Sequence, residues 1–179
     1  MYTIHKGSAL AVISKSGSQS ITMAANGWYV SNEQALLYPR RIFFIREPFE
    51  RLKSGYSFFK LLKLEGSKYN NRVPDFVESW NAFIDYVLDT DHQDEHFLPQ
   101  TYSLFFSGAL TANVILRFED INEWWPLFFT SKLERLNSAH RVSEINTDYR
   151  KREIDEYYAL DSATYATAER YIQGGKIWP

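Results

Sequence analysis

Residues 41–56 join a short apolar run to a polar stretch that suits a helix. Residues 41–45 read Arg-Ile-Phe-Phe-Ile, and such a run of β-branched and aromatic residues indicates a buried strand. Pro48 suits the first turn of a helix, so Arg46 is expected where the strand passes into the helix. Open α/β sheets bind ligands at this edge, and Ser54, about two helical turns later, could bind the same phosphate. The segment therefore predicts an α/β fold with an anion site at this junction.

A second candidate anion site precedes the first. The apolar residues 10–13 predict a short strand, and a loop rich in serine and glycine follows it. Small residues let backbone N–H groups approach a phosphate closely, the start of the following helix adds unpaired N–H groups, and a lysine adds positive charge. The candidate phosphate-binding residues of this loop are Lys15, Ser16, Gly17, Ser18, Gln19 and Ser20.

The two segments together resemble the phosphate motifs of sulfotransferases that use 3′-phosphoadenosine-5′-phosphosulfate (PAPS) as sulfuryl donor. Residues 15–20, Lys-Ser-Gly-Ser-Gln-Ser, are similar to the 5′-phosphosulfate loop, and residues 46–56, which begin Arg-Glu-Pro-Phe-Glu-Arg, are similar to the 3′-phosphate motif. The similarity is greater to the carbohydrate sulfotransferase branch, where segments like residues 96–100, 116–121 and 157–165 follow in the same order. The resemblance implies PAPS as donor co-substrate and a hydroxyl acceptor, either a carbohydrate or another small molecule.

The predicted elements extend this expectation to residues 1–179 as a single sulfotransferase-like domain. Strands alternate with helices, which favours a mostly parallel sheet flanked by helices, and the resemblance implies the P-loop-NTPase-like sulfotransferase form of that α/β fold. The predicted strands are residues 10–13, 28–30, 41–45 and 113–118, and the predicted helices are residues 18–26, 47–64, 74–88, 122–136 and 148–171, with a surface loop at residues 66–73.

Sulfuryl transfer needs a cation beside the leaving phosphate oxygen and a base that takes the proton of the acceptor hydroxyl. Lys15 is the candidate for the cation. The resemblance implies a Glu or His base between the two phosphate motifs, and Glu33 is the first candidate because that segment contains no histidine. His96 is the second candidate. A carboxylate such as Glu33 would serve as base if desolvation raised its pKa toward neutral.

Each of these residues also has a purely structural interpretation. Lys15 could be a solvated loop lysine, and Ser54 could be a small residue on a packed helix face. Glu33 could be the first-turn acid of a short capped helix. Arg51 could form a surface ion pair with Glu47, which is worth only about 0.2–1 kcal/mol when exposed.

Composition limits the remaining classes of function. A net charge of −2 argues against electrostatic binding of nucleic acid by the chain as a whole, and the absence of cysteine excludes disulfides. His92 and His96 have the spacing of a metal pair, but no third ligand is evident, so no metal is expected. No apolar run approaches about 18 residues, so we expect a soluble, cytoplasmic protein without a membrane span. The surplus of aromatic residues, 17%, could line a sugar-binding cleft, although most phenylalanines occur as core-like doublets. Oligomeric state stays open.

Two alternative functions stay open at this point. A degenerate sulfotransferase fold could act only as a nucleotide-binding or carbohydrate-binding module, and the short span between Lys15 and Arg46 favours that interpretation. The presence of Lys15, Arg46 and Ser54 favours an enzyme instead. A P-loop kinase is disfavoured, because its GxxxxGK[ST] pattern is absent and Lys15 precedes Gly17.

Overall fold

The computed structural model describes residues 1–25, 28–64, 75–89, 94–128, 133 and 145–173. Its strands are β1 (Tyr2–His5), β2 (Ser8–Ala11), β3 (Tyr29–Val30), β4 (Arg40–Ile45), β5 (Phe105–Phe106), β6 (Ala109–Leu110) and β7 (Val114–Arg117). Its α-helices are α1 (Ser18–Ala24), α2 (Asn32–Ala35), α3 (Pro48–Leu64), α4 (Trp80–Asp89), α5 (Ile121–Phe128), α6 (Lys151–Tyr157) and α7 (Ala159–Gln173). Short 3₁₀ helices occupy Asp75–Glu78, Gln100–Ser103 and Phe118–Asp120.

Five strands form one sheet in the order β3, β1, β2, β4, β7, and β5 pairs with β6 in a separate hairpin. β2, β4 and β7 are parallel neighbours, whereas β1 is antiparallel to both β2 and β3. Four of the five strands therefore point the same way, which confirms the prediction of an α/β fold with a mostly parallel sheet flanked by helices. The loops that follow β2 and β4 leave the sheet at the same edge, side by side.

The sequence pattern does not reveal β1. Tyr2 and Thr3 are both buried, so the strand lacks the alternation of apolar and polar residues that marks a half-exposed strand. Lys6 and Gly7, with φ of 45° and 74°, form a two-residue turn into β2. Two positive φ values match the twist of a hairpin, but the usual signal is Asn-Gly or Asp-Gly rather than Lys-Gly. The strand predicted at residues 10–13 begins earlier, at Ser8, because it pairs with β1.

The continuous apolar run of β4 follows from burial of both faces of the sheet. Alternate residues of a strand point to opposite faces, so a strand covered on both sides needs apolar residues throughout. On one face, Ile42 and Phe44 pack in a cluster with Ile21 of α1 and Trp125 of α5. On the other, Phe43 and Ile45 pack in a cluster with Ala35 of α2 and Ala168 of α7.

A third cluster holds α3, α4 and α6 together. It contains Leu52, Tyr56, Trp80, Phe83, Phe97 and Ile154. The helix predicted at residues 74–88 is divided, because Ser79 caps a new helix: its Oγ accepts a hydrogen bond from the backbone N–H of Ala82 at 3.1 Å. Tyr56, part of the resemblance, is a fully buried member of this core.

The remaining predicted elements are partly within the described residues. The helix predicted at residues 148–171 forms as α6 and α7, which are separated at Tyr158. α5 represents the first part of the helix predicted at residues 122–136; most of its remainder, and the predicted loop at residues 66–73, lie outside the described residues. Within the described ranges, no helix is long and apolar enough to cross a bilayer.

Candidate functional site

The loop between β2 and α1 has an unusual backbone at two of the predicted phosphate-binding residues. Lys15 has φ of 65° and Gly17 has φ of 75°. The left-handed region costs a residue with a side chain about 1–2 kcal/mol, so contacts elsewhere must hold Lys15 in place. A Cβ at Gly17 would lie 2.3 Å from Cε2 of Phe118, so only glycine fits here. The loop thereby brings the first backbone N–H groups of α1 to the edge of the sheet.

Arg46 follows β4 directly, as the sequence predicts, and it contacts that loop. Its Nη1 donates a hydrogen bond to the backbone oxygen of Lys15 at 2.9 Å. Its Nε lies 4.0 Å from Oε1 of Glu119, and its guanidinium carbon lies 5.4 Å from the ring centroid of Phe118. The side chain keeps 21% of its surface exposed. The two predicted phosphate segments are therefore in contact, and part of the Arg46 side chain is still exposed.

Gln100 joins the same two segments from the interior. Its Oε1 accepts hydrogen bonds from Oγ of Ser16 at 2.8 Å and from the backbone N–H of Arg46 at 3.0 Å. Its Nε2 donates to the backbone oxygen of Arg46 at 2.8 Å. The backbone N–H of Ser16 donates to the backbone oxygen of Ile13 at 3.1 Å. Both donors of Ser16 therefore bond within the protein, and Ser16 shapes the loop.

Asp161 of α7 fixes Gln100 in turn. Its fully buried carboxylate accepts hydrogen bonds from the backbone N–H groups of Gln100 and Thr101, at 2.7 and 2.9 Å. It also accepts from Oγ1 of Thr101 at 2.7 Å. Sequence reasoning singled out neither Gln100 nor Asp161 as a site residue. The only sequence signal is that Asp161 is a lone acidic residue in an apolar stretch of a predicted helix, and this does not indicate which groups its carboxylate bonds.

Arg51 holds three backbone segments together. The side chain is only 2% exposed. Its nitrogens donate to the carbonyl oxygens of Ser14 (3.0 Å), Leu98 (2.8 Å) and Glu95 (2.8 Å). Glu47 instead accepts hydrogen bonds from backbone N–H groups in the first turn of α3. The interpretation of Arg51 as a surface partner of Glu47 is therefore wrong, since the guanidinium is buried against backbone carbonyls.

The ammonium of Lys15 lies over an aromatic ring. Its Nζ is 3.5 Å from the ring centroid of Phe58 on α3. Burial, together with the positive charges of Arg46 and Arg51, lowers the pKa of Lys15 to about 8. At neutral pH the side chain is still mostly protonated, so it can stabilise negative charge on a leaving phosphate.

The imidazole of His96 also contacts the Phe58 ring. It stacks on Phe58 with 6.2 Å between centroids, and its Nδ1 lies 2.7 Å from Oδ1 of Asp94. When Nδ1 carries the proton and donates it to Asp94, Nε2 is the basic nitrogen. Two predicted catalytic residues, Lys15 and His96, thus share Phe58 as a neighbour.

Glu33 lies elsewhere. It is an exposed residue of α2, after the edge strand β3, which β1 separates from β2. Ser31 and Gln34 form a reciprocal capping box around it, and a hydrogen bond with Ser31 lowers the pKa of Glu33. The condition that desolvation raise this pKa is not met, because the side chain is exposed. Glu33 matches the first-turn acid of a capped helix, and its role as base stays a prediction that this geometry does not support.

The other predicted donor-binding residues are placed as follows. Ser54 is half-buried in the second turn of α3, and its joint binding of one phosphate with Arg46 stays a prediction. Ser18 and Gln19, in the first turn of α1, border a cavity of about 940 Å³. Ser20 is buried beneath them. The cavity adjoins the loop, so a molecule bound there would lie beside the phosphate-binding backbone.

Metal binding has no structural candidate in the part of the chain that the structure describes. No three His, Asp or Glu residues lie there as a possible ligand set. The prediction of metal-free transfer stays a prediction.

Comparison with known protein families gives a match over most of the chain. The model of the Sulfotransferase family matches residues 16–173. The matched range begins directly after Lys15 and includes Arg46, Gln100 and Asp161. Comparison with curated proteins and with solved structures gave no significant match. The family match covers most of the 179 residues, and the α/β fold with two converging loops is consistent with it. The chain therefore belongs to the sulfotransferase family.

Proposed function

We propose that this chain transfers a sulfuryl group from PAPS to a hydroxyl group of a carbohydrate. Family membership supports sulfuryl transfer in general. The observation that carries the proposal for the donor is the 2.9 Å hydrogen bond from Arg46 to the backbone oxygen of Lys15. It brings a guanidinium, an ammonium and the N–H groups of a helix start to one edge of the sheet, where a nucleotide with phosphates at two positions needs them.

The residues at this edge fit such a donor. Arg46, with Ser54, would hold the 3′-phosphate, because a guanidinium binds phosphate oxygens through paired N–H groups. The backbone from Gly17 to Gln19 would hold the 5′-phosphosulfate, since it forms the start of α1, where backbone N–H groups favour an anion. Gln100 and Arg51 are positioning residues, because they hold the backbone segments that carry these groups.

The chemistry is a displacement at sulfur. The acceptor oxygen forms a bond to sulfur while the bond between sulfur and the bridging oxygen of the donor breaks. The bridging oxygen leaves with the electron pair as part of adenosine 3′,5′-bisphosphate, and Lys15 stabilises the charge that grows on it. The acceptor proton passes to a base of the protein.

Isothermal calorimetry with adenosine 3′,5′-bisphosphate tests the donor assignment. Arg46→Ala should weaken binding at least about tenfold, because charge-assisted hydrogen bonds to phosphate contribute about 1.5–3 kcal/mol. Adenosine 5′-monophosphate should bind the unmodified protein more weakly and lose little on Arg46→Ala. Arg152→Ala is the matched control, because the Arg152 side chain is 87% exposed and pairs only with Glu156 in the described ranges.

Equal affinity for nucleotides with and without the 3′-phosphate would contradict the donor assignment. Tighter binding of ATP would favour the kinase alternative. Tight binding of the bisphosphate without measurable sulfuryl transfer to any hydroxyl compound would favour the binding-module alternative.

A further inference from the structure

We infer that the cavity beside the phosphate loop binds an uncharged sugar acceptor and that Glu95 contacts its reacting hydroxyl. The inference rests on the proposed function, because it places the acceptor relative to the donor loop. It differs from the sequence-based candidates for the base, Glu33 and His96, neither of which lines this cavity.

The cavity has the position and size of an acceptor site. Ser14, Ser18 and Gln19 of the phosphate-binding segment form one of its walls. Its volume of about 940 Å³ lies within the range of small-molecule sites, about 300–1,000 Å³. An acceptor here would have its hydroxyl beside the loop that holds the sulfuryl group.

Aromatic and apolar residues also line the cavity. Tyr29 and Tyr102 keep 53% and 65% of their surface exposed, and Met23 and Leu98 are further lining residues. Exposed tyrosines combine a flat apolar face with a hydroxyl, which suits the face of a sugar ring. Oγ1 of Thr22 accepts a hydrogen bond from the Tyr29 hydroxyl at 3.3 Å and so orients that ring.

The charges of the cavity argue against an anionic acceptor. Among the described residues that line it, Arg51 and Glu95 carry the charged side chains. Arg51 already donates to three backbone carbonyls, so it has little capacity for a ligand carboxylate or sulfate. The exposed Glu95 would repel an anion.

Glu95 is held at the border between cavity and loop. Its Oε1 accepts a hydrogen bond from Oγ of Ser14 at 3.1 Å, and Ser14 directly precedes Lys15. Its backbone oxygen accepts from Arg51, which also binds the backbone oxygen of Ser14. One buried arginine therefore fixes the position of Glu95 relative to the phosphate loop, and a positioned carboxylate is what a base needs.

The proposed step is balanced without a further reactant. The acceptor oxygen attacks sulfur, its proton passes to the carboxylate of Glu95, and the sulfur to bridging-oxygen bond breaks. The products are the sulfated sugar, adenosine 3′,5′-bisphosphate and protonated Glu95, which returns its proton to solvent.

Two matched probes test the acceptor class. p-Nitrophenyl β-D-glucoside and p-nitrophenyl β-D-glucuronide differ by a carboxylate, and ligand-observed NMR measures their binding at saturating adenosine 3′,5′-bisphosphate. The glucoside should bind at least about fivefold more tightly, because like charges raise the free energy of the glucuronide complex. Tyr102→Ala should weaken glucoside binding about fivefold or more. Phe105→Ala, at a residue 50% exposed outside the cavity lining, should change it less than about twofold.

Charge reversal gives the specificity test. Glu95→Lys should abolish or reverse the preference for the glucoside, whereas Glu156→Lys, on the surface of α6, should leave it intact. Glu95→Gln should lower kcat for transfer to the glucoside about 10²–10⁴-fold while KM for the donor changes little.

The outcomes separate the two proposals. If the unmodified protein does not bind adenosine 3′,5′-bisphosphate, the donor assignment is refuted. If the bisphosphate binds, the inference is overturned by equal or tighter binding of the glucuronide, by no binding of either glycoside, or by an unchanged preference in Glu95→Lys. Near-normal kcat in Glu95→Gln with collapse in His96→Ala would overturn the role of Glu95 and transfer it to His96.

Discussion

The two sides of this site differ in how their side chains are held. Under the phosphate loop, Ser16, Gln100 and Asp161 are buried and joined by hydrogen bonds between side chains or to backbone. Along the cavity, Tyr29 and Tyr102 are exposed aromatic side chains. The proposed donor side is fixed by polar groups that have partners inside the protein, while the proposed acceptor side offers exposed surface to a ligand.

This difference matches two different demands. A donor that is the same in every reaction cycle can be bound by a rigid, preorganised loop, and preorganisation lowers the entropy lost on binding. On the proposed acceptor side, recognition would depend on exposed side chains, where substitutions change stability little. Substitutions on the two sides should therefore have separable effects, on stability and donor binding for one and on acceptor choice for the other.

The largest effect is expected for a substitution in the buried hydrogen-bond network under the phosphate loop. Asp161→Ala should lower the free energy of unfolding by about 3–5 kcal/mol, because it leaves buried donors of Gln100 and Thr101 without their acceptor. Urea denaturation followed by tryptophan fluorescence measures this. Asp155→Ala, which removes an exposed carboxylate of α6 paired with Lys151, should cost less than about 1 kcal/mol. Similar losses in the two variants would show that the buried network is not what stabilises the site.

A second substitution tests catalysis on the donor side. Lys15→Ala should lower kcat about 10²–10³-fold, because the ammonium acts on charge that develops at the leaving oxygen. Affinity for adenosine 3′,5′-bisphosphate should fall by a smaller factor. Lys63→Ala, at a partly exposed lysine paired with Glu78, is the control. A Lys15→Ala protein with normal turnover at saturating donor would remove Lys15 from catalysis.

The smallest of these effects is a dependence on pH. Since burial lowers the pKa of Lys15 to about 8, its charge is lost as pH rises through that value. Affinity for adenosine 3′,5′-bisphosphate should therefore decrease by up to about tenfold between pH 7 and pH 9, whereas Arg46 and Arg51 stay charged. Calorimetry at both pH values measures the change. Lys15→Arg should bind with nearly constant affinity over this interval, and a parallel decrease in that variant would assign the titration to another group.

Local sequence patterns were sufficient for part of this structure. The position of Arg46 between strand and helix follows from β4 and Pro48, which are adjacent in sequence, and the loop around Gly17 follows in the same way from its small residues. Glu33 shows the limit of such reasoning: its place after a strand suggested a base, but whether it is desolvated depends on distant packing.

Contacts between distant segments could not be inferred from one sequence. Gln100 meets Asp161 across 61 residues, and Arg51 binds carbonyls rather than side chains, so neither contact leaves a pattern of residue types. The pattern does not predict β1, because Tyr2 and Thr3, on opposite faces of the strand, are both buried. The sequence thus predicts which residues bind phosphate, and the structure shows which residues hold those segments in place.

The hydrogen bonds of Gln100 also bear on the order in which the protein folds. Ser16 is 84 residues from Gln100, and Gln100 is 61 residues from Asp161. Closing such long loops costs chain conformational entropy before the contacts form. Contacts that are local in sequence, as in the helices and in the hairpin of β1 and β2, should therefore form first. On the proposed assignment, donor binding requires that α7 has docked, because Asp161 of that helix holds Gln100. Acquisition of affinity for adenosine 3′,5′-bisphosphate during refolding would therefore report the last step of assembly.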